Sequence, residues 1–213
     1  MFNLTPATLI ARLITLVIAF TVHELAHAVT AVWFGDDTPR LYGRLTLNPL
    51  AHLDPLGSLL ILVSGFGWAK PVPINLNALE RRSTYAPMWV ALAGPLSNLI
   101  LAALAAIPIR LGLVPLISSG GAFFPSAADF LTEFIFLNLI LLFFNLIPVA
   151  PLDGEKVLTY LLPPGSRGFL EQLRPYGFMI LLALIFVGPM LGFDLLGLII
   201  GSPTNAVFNL LIG

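Results

Sequence analysis

The sequence contains no cysteine and very little charge. Without cysteine it can form no disulfide, hold no thiolate-bound metal and use no thiol nucleophile. Lys, Arg, Asp and Glu make up 10% of the 213 residues, where a soluble globular domain carries about 25%. The net charge of −1 offers no electrostatic attraction to nucleic acid. What fills the chain instead is apolar: 58% of the residues are hydrophobic, a composition built for lipid. The length fits one integral-membrane domain, residues 1–213, and leaves no room for a separate soluble domain.

The apolar residues fall into four runs long enough to span a bilayer, which takes about 20 residues: 9–34, 88–107, 130–149 and 178–200. The first is no signal peptide, since it is too long for an apolar signal core and contains His23, Glu24 and His27. The run at 56–68 is too short to cross unaided and reads as re-entrant or interfacial; the tail from residue 204 is also too short. With 56–68 dipping in and returning, Arg40, Arg44, Lys70, Arg81, Arg82, Lys156, Arg167 and Arg174 share one side, opposite Arg12 and Arg110. That side is expected to be cytosolic. Residues 40–48 alternate Leu41, Gly43, Leu45 and Leu47 with Tyr42, Arg44 and Thr46, and Val72, Ile74 and Leu76 alternate likewise. Period-2 alternation predicts half-buried strands, the second confined to an edge by Pro71 and Pro73. The expected fold is a membrane all-α bundle of about four full spans, with a re-entrant segment and a small membrane-associated β hairpin.

The residues that carry chemistry interrupt the first span. In His23-Glu24-Leu25-Ala26-His27 the two imidazoles lie four apart, on one helix face, where both can bind one metal ion. Glu24 stands beside them to take a proton from metal-bound water. A charged group at mid-membrane costs roughly 2.5–3.5 kcal/mol on insertion scales, and coordination offsets that cost. The competing reading is three hydrogen-bonded residues at a helix interface. A catalytic site needs a third ligand and an open position. The candidate is Asp153, in Asn145-Leu146-Ile147-Pro148-Val149-Ala150-Pro151-Leu152-Asp153-Gly154. Pro148 and Pro151 should unwind the end of the third span, and Gly154 permits a tight turn that aims Asp153 inward. The competing reading there is an ordinary helix stop. Among the other polar residues, Gly94, Ser97 and Asn98 read as a close helix-packing face, with a place for Asn98 in the lining of the site as the alternative. His52 reads as a hydrogen-bonded loop residue rather than a further metal contact. Gly188-Pro189 is expected to kink the last span, and Asp194 finds no role.

His23 to His27 together with Asn145 to Gly154 resemble the site-2 protease family of intramembrane metalloproteases. Gly43-Arg44-Leu45-Thr46-Leu47-Asn48-Pro49, Lys70-Pro71-Val72-Pro73-Ile74-Asn75 and Ala93-Gly94-Pro95-Leu96-Ser97-Asn98 resemble its short bacterial branch, over nearly all of the chain to about residue 160. The resemblance implies one Zn2+ per chain bound by His23, His27 and Asp153, with Glu24 as general base. Asn145 matches a family asparagine near the metal that stabilises the oxyanion. It further implies hydrolysis of peptide bonds in membrane-spanning protein substrates, in the bilayer of a bacterial plasma membrane. The basic-residue distribution and the depth of His27 in the first span put the expected active site near the cytosolic side. Glu155-Lys156 after Asp153-Gly154 departs from many members, and there is no PDZ-like domain. A non-proteolytic zinc carrier or sensor is the alternative, although a carrier is expected to show repeated halves, and none is seen.

Overall fold

The computed structural model describes residues 5–55, 57, 67–115, 123–192 and 194–213, and is mostly helical. Helix α1 (Pro6–Trp33) starts where the Thr5 hydroxyl accepts the Thr8 N–H and Pro6 fills the first helical position, which needs no donor. Two short helices follow, α2 (Thr38–Leu41) and α3 (Leu76–Arg82). Then come α4 (Ala86–Arg110), α5 (Ala127–Asn145) and α6 (Asp153–Leu161), and finally α7 (Gly165–Met190) and α8 (Gly197–Ile212). Ser126 and Asp129 form a reciprocal capping box at the start of α5. By length and composition α1, α4, α5 and α7 can each cross a membrane, and the chain is an integral membrane protein.

Helices α1, α4 and α5 pack on one another, and α6 packs on α4. The α4–α5 contact is built from small residues on one side, Ala102 and Ala106, facing Ile135, Leu139 and Leu142 on the other. Small residues let membrane helices approach closely, where van der Waals contact replaces the hydrophobic drive that lipid removes. Arg12 of α1 meets Glu133 of α5 in an ion pair, both partly buried.

The end of the third span unwinds as Pro148 and Pro151 require. Helix α5 stops at Asn145, and residues 146–152 form turns that lead into α6. The last span differs from expectation. Rather than running through 178–200, the helix ends at Met190, the chain turns through Gly192 at φ 81°, and Asp194 accepts the Gly197 N–H at 2.7 Å. That bond gives Asp194 its role, as cap of a new helix. Leu196 and Ile200 pack beside Ile185 on a cluster of Ile147, Leu152 and Leu181. Farther on, Phe208 meets Phe136 edge-on at 5.8 Å. Helix α8 therefore runs antiparallel along α5, and the tail taken as too short to cross is its second half.

No strand is found among the described residues at 40–48 or 72–77, where the alternation predicts a hairpin. Residues 38–41 make the α2 helical turn, Gly43 turns the chain at φ 68°, and Asn48 caps a 3-10 turn over Pro49–Ala51. Residues 71–75 are irregular, and Asn75 caps α3. Among the described residues the β contact is a single bridge between Leu53 and Ala69. Arg44 supplies the physical reason. Assigned to the polar face of a strand, it is instead buried, and its guanidinium donates to the carbonyls of Ala51, Lys70 and Pro71 at 2.6, 3.1 and 3.1 Å. Those bonds fold the loop around the guanidinium, and Pro71 and Pro73 have no donors to offer a ladder. The re-entrant segment expected at 56–68 lies outside the described residues, apart from Gly57, Gly67 and Trp68.

Candidate metal centre

His23 and His27 project from one face of α1, and Asp153 is the first residue of α6. The two Nε2 atoms each lie 3.2 Å from Asp153 Oδ2. The three donor atoms fall within 4.8 Å of one another, and all three residues are buried. The imidazole rings stand nearly perpendicular, with centroids 4.6 Å apart.

The other ring nitrogens are already engaged. His27 Nδ1 donates to the Val90 carbonyl at 2.6 Å, and His23 Nδ1 donates to Asn98 Oδ1 at 2.7 Å. A ring that donates from Nδ1 presents a lone pair at Nε2. The Asp153 carboxylate adds an oxygen that can only accept when ionised. Three electron-pair donors thus converge on one point, which is the donor set of a divalent cation with two nitrogens and one oxygen. The outer hydrogen bonds to the rings are those that orient metal-ligating histidines.

Two glycines make room for this geometry. A Cβ at Gly94 of α4 would stand 2.4 Å from His27 Nε2 and 2.5 Å from His23 Nε2, so the absent side chain is the space over the donor atoms. Gly94 and Asn98, read from sequence as packing residues, belong to the site. A Cβ at Gly154 would come within 2.2 Å of the Leu146 carbonyl. Gly154 therefore serves by close approach rather than by backbone freedom: α6 presses against the turn after α5, and Asp153 is carried inward.

A cavity of about 510 Å³ opens beside the group, lined by Glu24, Asn145, Lys156, Val72 and Ile74 together with His23, His27 and Asp153. Glu24 makes no hydrogen bond to a described residue and faces this space. The Asn145 amide donates to the Leu141 carbonyl at 3.0 Å while lining the cavity. Every expected site residue is thus brought together. His52 is not among them: it is buried in the loop and donates from Nε2 to the Thr46 carbonyl at 2.8 Å. Sequence reasoning missed Asn138, Arg44 and Lys156. For Asn138 the available signal was an amide side chain inside an apolar span, where an unpartnered polar group is costly.

Fold and site together define an integral membrane protein that presents a three-residue metal-binding group to a cavity. Peptidase family M50 matches residues 111–188. The chain is 47% identical over 177 residues to the putative zinc metalloprotease YwhC of Bacillus subtilis, covering 83% of this chain and 80% of that one. It is 35% identical over 170 residues to the putative zinc metalloprotease Rip2 of Mycolicibacterium smegmatis, covering 76% and 61%. To Rip2 of Mycobacterium tuberculosis it is 31% identical over 188 residues, covering 82% and 65%. No solved structure matches. The chain belongs to peptidase family M50, the site-2 protease family, and is a membrane metalloprotease.

Proposed function

We propose that this protein is a single-domain zinc endopeptidase that cleaves peptide bonds in or near the transmembrane segments of membrane-protein substrates. The observation that carries the reading is the convergence of His23 Nε2, His27 Nε2 and Asp153 Oδ2 within 4.8 Å. These three would hold one Zn2+, in keeping with the zinc metalloproteases to which the chain is similar. Bound there, zinc supplies Lewis acidity, polarising a carbonyl and lowering the pKa of a water ligand to about 7.

The remaining chemistry falls to side chains. Glu24 accepts the proton of the attacking water and returns it to the leaving amine. Asn145 has a second amide hydrogen besides the one given to Leu141, and directs it to the developing oxyanion. A helical substrate hides its carbonyls, so it must unwind to be cut. The apolar walls at Phe20, Phe144, Phe178 and Leu181 suit the side chains of a spanning segment. The distribution of basic residues supports a site that opens toward the cytosol from a bacterial cell membrane.

The test is cleavage of a single-span reporter by the reconstituted protein. A zinc chelator should stop it. Glu24→Gln should abolish cleavage while the purified protein keeps close to one zinc per chain, whereas Asp153→Ala should lose the zinc as well. A zinc carrier or sensor predicts no cleavage by the wild-type chain, and cleavage by Glu24→Gln at the native rate would refute the general-base role.

A further inference from the structure

A run of side-chain amides leads away from His23 into the bundle. His23 Nδ1 lies 2.7 Å from Asn98 Oδ1 on α4. Asn98 Nδ2 donates to Asn138 Oδ1 on α5 at 2.9 Å, and Asn138 Nδ2 donates to the Phe134 carbonyl at 2.9 Å. Both asparagines are fully buried, at 0% exposure, so no water competes for these bonds.

The run has a direction, and a backbone carbonyl sets it. Phe134 O can only accept, so Asn138 must turn its NH2 toward it and its C=O toward Asn98. Asn98 must then offer its NH2 to Asn138 and its C=O to His23. A carbonyl at His23 Nδ1 requires the proton on Nδ1, and the lone pair then sits on Nε2, where the donor atoms converge. His27 needs no such relay, because Val90 O accepts from its Nδ1 directly. An asparagine amide is nearly symmetric in shape. Reversed, Asn98 would offer its NH2 to Nδ1 and favour the tautomer with the proton on Nε2, which blocks that nitrogen as a ligand. Only the Asn138 carbonyl opposes this reversal, since a reversed Asn98 would set two carbonyl oxygens against each other.

We propose that Asn138 is a positioning residue for the metal centre: through Asn98 it fixes the tautomer of His23. The inference rests on the ligand assignment proposed above. It separates the two imidazoles, one held by main chain and the other by two replaceable side chains.

Zinc affinity of the detergent-purified protein, measured by competition with a fluorescent chelator, tests it. Asn138→Leu should weaken binding about tenfold, the lower end of losses seen when outer-shell partners of metal ligands are removed. Asn98→Asp introduced into that variant should restore affinity, because a carboxylate accepts from Nδ1 in either orientation. A packing defect at Asn138 would not be repaired in this way. The chain has three histidines, so 15N spectra of the zinc-free protein can assign each ring. His23 should be protonated on Nδ1 in the wild type and shift toward Nε2 in Asn138→Leu, while His27 stays unchanged. Undiminished zinc binding by Asn138→Leu overturns the inference alone, as does a loss that Asn98→Asp fails to repair with the His23 tautomer unaltered. A wild-type chain that binds no zinc overturns the ligand assignment, and the inference with it.

Discussion

At Gly94 a missing side chain does as much as a ligand. The peptide of α4 passes so close to both imidazoles that the smallest addition, one methyl group, would sit 2.4 Å from a donor nitrogen. Neither neighbour can yield: His27 is tied to Val90 on the same helix, and His23 to Asn98 one turn farther on. Gly94→Ala should therefore empty the site. We expect zinc content to fall to a small fraction of the wild-type value, and cleavage to disappear, while helix content by circular dichroism is preserved, since alanine favours a helix by about 1 kcal/mol over glycine. Retention of one zinc per chain by Gly94→Ala would show that α4 can move away, and the account of the site's tightness would fail.

Among the elements, the loop between α1 and α3 was the least legible in the sequence. The four-residue spacing of His23 and His27 and the proline-glycine pattern before and after Asp153 carry their meaning locally, within one turn of helix or one break in a helix. Residues 40–48 do not. Short leucine-rich alternation suits a strand, but whether a strand forms depends on which distant groups claim the backbone, and here Arg44 claims three carbonyls. Asn98 and Asn138 were obscure for the same reason, because their partnership exists only once α4 and α5 pack together. Arg44 also fixes the stretch after Lys70, whose Pro71, Val72 and Ile74 line the cavity. Hydrogen bonds to a charged group contribute about 1.5–3 kcal/mol, so Arg44→Ala should loosen that wall without touching the donor atoms. Turnover is expected to drop several-fold and limited proteolysis at 44–75 to accelerate, with zinc content unchanged. Native turnover and unchanged protease resistance would remove Arg44 from this role.

For the whole molecule, orientation can be read with thiol reagents, because the chain has no native cysteine. Cysteines placed at Ser83 and Ser166 should react with an impermeant reagent from the cytosolic side only, and one at the exposed Leu113 from the opposite side only. Labelling of positions 83 and 113 from the same face would invert or break the arrangement. The Arg12–Glu133 pair adds the dimension of time. Its members lie 121 residues apart in sequence, and synthesis proceeds at about 5–20 residues per second, so Arg12 enters the bilayer well before its counter-ion is made. Arg12 lies near the start of its span, so its cost is below the roughly 2.5–3.5 kcal/mol of a mid-span arginine, and its long side chain can reach toward the headgroups in the interim. The pairing with Glu133 is therefore completed only once α5 has been made. The third donor, Asp153, comes later still. With the proposed ligand set, a nascent chain is expected to stay inactive until α6 has joined the bundle, which release of reporter cleavage only after full-length synthesis would show.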